Sequence, residues 1–289
     1  VKLELVDVAP LRFEGGPAES GEYLLSPYVF AQGREIAIRA VPRIDDEPRL
    51  KISRIFRGRS IDGDLFALEN TPVIAPGGDD IDRGGVEDPT VVDEGQRLDI
   101  FYSGWNPVAK HSTLMRARGT RAGGFAVCGA VFGGGEPQAK EATLVRVDTG
   151  WAMFFEVERD ASLCGVARAP FIEGPWTIGE DVLTPRRDGF DSHNVSPVAF
   201  VRAPTGERVL IYNGSDASAR WEIGWCALDE GCTRIIARCD QPIVRATRNA
   251  PDQRELVFGS SVVERDDGLD LYYSVADTDS TRATLRWRA

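Results

Sequence analysis

The stretch Gly84-Gly85-Val86-Glu87-Asp88-Pro89-Thr90-Val91-Val92 sets two adjacent carboxylates at the mouth of an apolar run. Proline is tolerated at the first position of a strand, where no ladder donor is needed. The residue before a proline is pushed toward extended geometry, so Asp88 is expected to enter the strand in a fixed, extended direction. Acids at the start of a buried strand are costly unless the site uses them. Glu87 alternates to the other side of the chain and reads as scaffold that braces a neighbouring element.

Working outward from this stretch, the same plan recurs. The openers Ser26-Pro27, Asp88-Pro89, Glu141-Ala142, Ser196-Pro197 and Ser260-Ser261 each precede an apolar strand, a turn and an aromatic-rich strand. Leu98-Asp99-Ile100-Phe101-Tyr102 and Leu269-Asp270-Leu271-Tyr272-Tyr273 are two of these aromatic strands. The openers return about every 50–65 residues, the length of a four-stranded propeller blade with loop insertions. Five such units fill the chain, so the expected fold is all-β, a five-bladed β-propeller forming one domain over residues 1–289. The strand at Val1–Val6 has no unit of its own and is expected to complete the last blade and close the ring. A β-sandwich would explain the period-two alternation, but not similar openers before similar aromatic strands. Helix signals are scarce; Pro251–Leu256 suits a single turn.

Net charge is −11 over 289 residues, which argues against nucleic acid or an anionic membrane as partner and is neutral toward uncharged sugars. No apolar run is long enough to span a bilayer. The five cysteines, Cys128, Cys164, Cys226, Cys232 and Cys239, are odd in number and lack CxxC spacing. They fit thiols in a reducing, cytoplasmic compartment better than a disulfide framework, with a bridge among the last three left open. The chain begins at Val1, which is compatible with a trimmed leader. No His/Cys set has zinc spacing, and no phosphate-loop or dinucleotide fingerprint points to a cofactor. Asp79-Asp80-Ile81-Asp82 lacks the EF-hand pattern and reads as a solvated acidic loop. Gly133-Gly134-Gly135 reads as a turn between blades.

In a propeller the innermost strands line a central channel, and their first residues gather at one end. Ser26, Asp88, Glu141, Asn194 or Ser196, and Ser260 are therefore expected to converge. Two of them, Asp88 and Glu141, are carboxylates facing one cavity, the equipment of glycoside cleavage, in which one acid protonates the leaving oxygen and the other serves as base or nucleophile. For Asp88 the plainer reading is a strand cap; for Glu141 it is an ion pair with Lys140 or a nearby arginine. Trp105, Tyr102, Trp151 and Tyr212 are candidates for stacking on sugar faces, with inter-blade packing as the plainer role. His193, beside Asn194 ahead of an inner strand, is a candidate contact for a sugar hydroxyl or phosphate. His111 is assigned to an outer loop.

These motifs resemble glycoside hydrolase family 130, the β-mannoside phosphorylases and β-mannosidases, over most of the chain. Ser60-Ile61-Asp62-Gly63-Asp64-Leu65-Phe66 is similar to that family's Ser-x-Asp-Gly-x-x-Phe turn. Thr71–Pro76 followed by Gly85–Pro89 is similar to its lead into a Glu-Asp-Pro strand. Leu271–Thr278 is similar to its C-terminal Tyr-Tyr-Gly-Ala-Ala-Asp-Thr segment. The resemblance implies a five-bladed catalytic propeller acting on an oligosaccharide, with Asp88 as general acid whose proton reaches the glycosidic oxygen through a sugar hydroxyl. It places Arg39 at a first-blade arginine, Asp277 at a last-blade acid, and Lys140 at a lysine that helps hold phosphate.

Two departures bear on the nucleophile. The phosphorylases follow the motif with arginine, where this chain has Thr90, and they carry Tyr-His-Gly where it has Tyr212-Asn213-Gly214. Inorganic phosphate needs a clamp of positive donors, and Arg116, Arg118 and Arg121 are the candidate replacements. A hydrolase needs instead a base to activate water; Glu141 is the first candidate and Asp191 the second, in an inverting pair about 6.5–9.5 Å apart. Hydrolysis is therefore favoured over phosphorolysis. The related arabinosidase and xylosidase propellers place an aspartate base on the first blade, where this chain has Ser26. A propeller that binds glycans without cutting them is the reading from another class.

Overall fold

The computed structural model describes residues 2–44, 51–77, 80–133, 138–158, 161–247 and 254–288. Val1, Asp79, Gly134-Gly135 and Pro251–Gln253, to which expectations attach above, lie outside these residues.

The described residues form five sheets. Strand β1 (Leu3–Pro10) is followed by β2 (Arg12–Glu14), β3 (Tyr23–Phe30), β4 (Glu35–Val41), β5 (Arg54–Ser60) and β6 (Leu65–Leu68). Blade 1 has the order β2-β6-β5-β4-β3. Blade 2 comprises β7 (Val86–Glu94), β8 (Arg97–Asn106), β9 (His111–Thr120) and β10 (Phe125–Ala130). Blade 3 comprises β11 (Ala139–Val147), β12 (Gly150–Glu158), β13 (Ser162–Ala169) and β14 (Thr177–Leu183). Blade 4 comprises β15 (Asn194–Arg202), β16 (Arg208–Ser215), β17 (Trp221–Leu228) and β18 (Ile235–Arg238). Blade 5 is built from β19 (Val257–Arg265), β20 (Gly268–Val275) and β21 (Asp279–Trp287), with β1 as its outer strand.

The inner strands touch in sequence, β3 to β7, β11, β15, β19 and back to β3, so the ring is closed. Pairing of β1 with β21, from Leu3 opposite Trp287 to Pro10 opposite Thr281, joins the first and last strands in one sheet, as expected. The short, largely exposed strand β2 was not legible in the sequence. It adds parallel to β6 at the outer edge of blade 1. His111 opens β9 opposite Asn106, in a strand where the sequence suggested a loop.

The aromatic strands explain how a propeller core is built. Each second strand is sandwiched between two neighbouring blades, so it is buried on both faces and reads as a continuous apolar run. Because successive side chains point to opposite faces, they divide between two inter-blade clusters. Leu210 and Tyr212 enter the cluster between blades 3 and 4, while Ile211 enters that between blades 4 and 5. Tyr272 packs toward blade 1, and Leu271 and Tyr273 toward blade 4. Tyr102 is buried against blade 1 and Phe101 against blade 3. Packing therefore takes Tyr102, Trp151 and Tyr212, the first and last of them 0% exposed, and leaves them no sugar-stacking face.

Every inner strand carries one extra residue relative to its partner. The register slips between Leu25 and Tyr28, Glu87 and Thr90, Lys140 and Ala142, Pro197 and Ala199, and Gly259 and Ser261. These are β-bulges at the five openers, and a bulge re-aims the side chain it carries. In three blades the opener also takes a left-handed backbone: Ser26 at φ 50°, Asp88 at φ 50° and Glu141 at φ 47°. Asp88 is thus not extended, despite Pro89; the bulge overrides the local steric preference. Such a conformation costs on the order of 1–3 kcal/mol for a non-glycine residue and persists only where the surroundings impose it.

Candidate active site

The three strained residues meet. Ser26, Asp88 and Glu141, with Thr90 and Ser260, line a small cavity of about 20 Å³ on the channel axis. Above it opens a pocket of about 410 Å³, whose wall also contains Ser26, Asp88 and Glu141. The bulges break the alternation that the sequence implied, so Glu87 faces this pocket beside Asp88 rather than turning away from it. Glu87 does brace a neighbouring blade, as expected, by accepting a hydrogen bond from Arg39 of blade 1.

A second ring of polar residues supports the openers from behind. Arg39, Ser103, Glu156, Asn213 and Ser274 occupy equivalent places on the second strands, opposite Leu25, Glu87, Lys140, Ser196 and Phe258. Four of them reach the next blade. The Glu141 amide donates to Ser103 Oγ at 3.2 Å, and the Ser26 amide to Ser274 Oγ at 2.9 Å. Asn213 accepts from the Gly259 amide at 2.7 Å and donates to the Gly259 carbonyl at 3.1 Å. Arg39 reaches Glu87. A sequence signal for this ring exists in hindsight: Tyr102-Ser103, Phe155-Glu156, Tyr212-Asn213 and Tyr273-Ser274 each follow an aromatic with a polar residue.

Glu156 is the charged member that sequence reasoning missed. It is 1% exposed and lines the pocket, and its ion pair is to Lys140 Nζ at 3.2 Å. Lys140 is held well above its usual range, chiefly by the Glu156 charge, which outweighs its burial. Glu141 accepts a hydrogen bond from Ser196 Oγ of blade 4. Burial pushes the Glu141 carboxyl well above the carboxylate range, the Glu156 charge pushes further, and Lys140 pulls back. Glu87 is raised by burial, with Arg39 opposing. Asp88 accepts a hydrogen bond from Ser26 Oγ at 2.5 Å and lies 3.9 Å from Arg39 Nη1.

The rim is aromatic and charged. Trp105 lines the pocket, as do Trp221 and Phe258, which the sequence reading did not single out. Asp277, at φ 56°, lines it too and pairs with Arg254 at 3.0 Å. Asn194 and His193 stand apart. The Asn194 amide links the Ser162 amide and the Ser215 hydroxyl, each at 3.0 Å, so it ties blade 3 to blade 4. His193 is exposed and absent from the pocket wall. Asp191 is 0% exposed and bound by Arg186, Arg238 and Tyr212, so no water reaches it. Arg116 and Arg118 pair with Asp99, and Arg121 with Glu35 and Asp93, all away from the pocket. Asp82 is buried at 4% and caps the Gly77 amide at 2.7 Å, so that loop is not wholly solvated. All five cysteines are free thiols. Among the described residues no group of three or more His, Cys, Asp or Glu side chains is arranged to hold a metal.

Thr90 and Asn213, which replace two phosphate-clamp residues of the resembled phosphorylases, are both structural. Thr90 Oγ1 donates to the Ala142 carbonyl at 2.5 Å, joining two inner strands, and Asn213 is 0% exposed.

No protein-family model matches the chain, and no curated protein matches it. Solved structures do. A glycosyl hydrolase from Bacteroides ovatus superposes with a TM-score of 0.78 at 20% identity, over 98% of this chain and 93% of that one. A structure from the family of mannoside phosphorylases that contains glycoside hydrolases targeting β-1,2-mannosidic linkages in Candida mannan gives 0.76 at 22% identity, over 91% and 84%. The β-1,2-mannobiose phosphorylase of Listeria innocua, in complex with β-1,2-mannobiose, gives 0.73 at 19%, over 93% and 82%. This chain therefore has the five-bladed propeller fold seen in the mannoside phosphorylases and hydrolases of glycoside hydrolase family 130.

Proposed function

We propose that this chain hydrolyses β-mannosides or related oligosaccharides with inversion, Asp88 acting as proton donor and Glu141 as base. The observation that carries hydrolysis over phosphorolysis is the charge of the pocket. Three cations line it, Arg39, Lys140 and Arg254, against five carboxylates, Glu87, Asp88, Glu141, Glu156 and Asp277. Each cation is already paired with an acid of the same wall. With Asp88 carrying the proton it donates, a phosphate dianion would still enter a site with a formal excess of negative charge and no uncommitted donor fork. Water has no such barrier.

In the proposed step Asp88 gives its proton to the departing glycosidic oxygen. Glu141 takes a proton from a water whose oxygen bonds to the anomeric carbon on the opposite face. Trp105 and Trp221 supply apolar faces for the sugar rings. Burial imposes a condition on the base: Glu141 accepts a proton only when the pH lies above its raised value, so the acidic limb of kcat/KM lies above the ordinary carboxylate range.

The test is a screen of manno-oligosaccharides with and without inorganic phosphate. The expected result is phosphate-independent release of reducing sugar in the inverted anomer. Asp88→Asn should reduce kcat by about 10²–10⁴-fold. Phosphate-dependent release of a sugar 1-phosphate overturns the hydrolytic reading. Glycan binding without turnover under either condition makes the chain a binding propeller instead.

A further inference from the structure

A second pocket, of about 430 Å³, lies between blades 3 and 4 on the face opposite the channel mouth. Its position follows from strand direction. Strand β11 leaves the channel mouth at Glu141 and reaches this pocket at Arg146, about 16 Å further along at the usual rise per strand residue. The pocket is lined from blade 3 by Arg146 and Arg168, and from blade 4 by Arg202 and Arg208. Asp148 and Glu230 are the acids on its wall. Arg146 aside, the three other arginines outnumber these two acids, on a chain whose net charge is −11.

Two of these arginines are set against each other. Arg202 and Arg208 are direct cross-strand partners at the ends of β15 and β16. Paired residues point to the same face of a sheet, and like charges directly opposite are destabilising. No ion pair within 4.0 Å relieves either one among the described residues; Glu264 of blade 5 senses the Arg202 charge only from farther off. The other two are differently engaged, Arg146 over the Trp151 ring at 5.3 Å and 4.0 Å from Glu94 of blade 2, and Arg168 donating to the Gly231 carbonyl.

We infer that this pocket binds a small ligand bearing a doubly charged phosphate, the Arg202–Arg208 pair forming its fork. Guanidinium groups match phosphate oxygens in a bidentate manner, and a bound dianion removes the repulsion between them. The volume suits a small phosphate monoester. The site stands apart from the catalytic pocket and does not depend on the reading of that pocket.

The experiment uses the full chain at low ionic strength, with glucose 6-phosphate and pyrophosphate as probes and glucose as the uncharged control. Calorimetry should show binding of the two phosphates and not of glucose, with a rise in Tm of a few degrees at about 100 times Kd. Arg202→Ala/Arg208→Ala should abolish the binding, and Arg202→Lys/Arg208→Lys should weaken it roughly tenfold, since charge remains and the fork is lost. In the unaltered protein the phosphate probe should protect both arginines from phenylglyoxal, a readout independent of how the variants fold. Three results overturn the inference: no binding by millimolar probe, an equal shift with sodium chloride at matched ionic strength, or binding that survives the double alanine change but is lost in Lys140→Met, which would put the anion in the channel.

Discussion

Replacing Asp191 by alanine separates a structural acid from a catalytic one, because the sequence alone offers Asp191 as a second base. Its carboxylate has no exposed surface, accepts hydrogen bonds from Arg186 Nε at 2.8 Å and Tyr212 OH at 2.6 Å, and lies 2.5 Å from Arg238 Nη2. Alanine removes the acid and leaves two guanidinium groups, 25% and 11% exposed, facing each other's charge. Breaking a buried pair by deleting one partner costs about 3–5 kcal/mol. The lower end applies, because Arg186 keeps the Cys239 carbonyl at 3.0 Å and Arg238 the Thr184 carbonyl at 2.8 Å. About 3 kcal/mol corresponds to a fall in Tm of roughly 6–12 °C. Urea unfolding followed by tryptophan fluorescence should show a lower midpoint at an unchanged slope. Below the transition kcat should stay within a few-fold of the parent, and Asp191→Asn, which keeps the shape and loses the charge, should fall between. A stability loss under about 1 kcal/mol, or a collapse of kcat at unchanged midpoint, would refute this reasoning.

Two further outcomes concern the pocket. The Glu141 carboxyl is raised above 4.5 in the folded chain, so the native state holds its proton more tightly than the unfolded state does. The stability this contributes is present below 4.5 and is lost as pH rises through the raised value, so Glu141→Gln should flatten the fall in stability over that window, measured as urea midpoint against pH; parallel curves for the two proteins would contradict the assignment. Trp105→Ala should raise KM roughly tenfold with kcat nearly retained, as expected of a side chain that binds ground state and transition state alike; a selective fall in kcat would place Trp105 in the chemistry.

The strand pattern, the five units and the closure by the first strand were all legible in the chain, because each is a local or periodic property. Alternation reports burial, and the openers recur at blade spacing whether or not the blades have met. The convergence of Asp88 and Glu141 on one pocket was legible for the same reason, since equivalent positions of a ring meet. What a side chain does at those positions was decided by tertiary structure. A single bulged residue rotates Glu87 into the pocket, reverses the extended geometry that Pro89 favours at Asp88, and is invisible to a period-two reading. Tyr102, Trp151 and Tyr212 look like sugar platforms until the neighbouring blade covers them. Asp191, Asn194 and the second-blade arginines look available until partners elsewhere in the chain claim them, and Glu156, hidden inside an apolar run, becomes the charge that chiefly raises Lys140 and adds to the burial that raises Glu141. Ion pairing and desolvation depend on distances between blades, and no segment of sequence contains those distances.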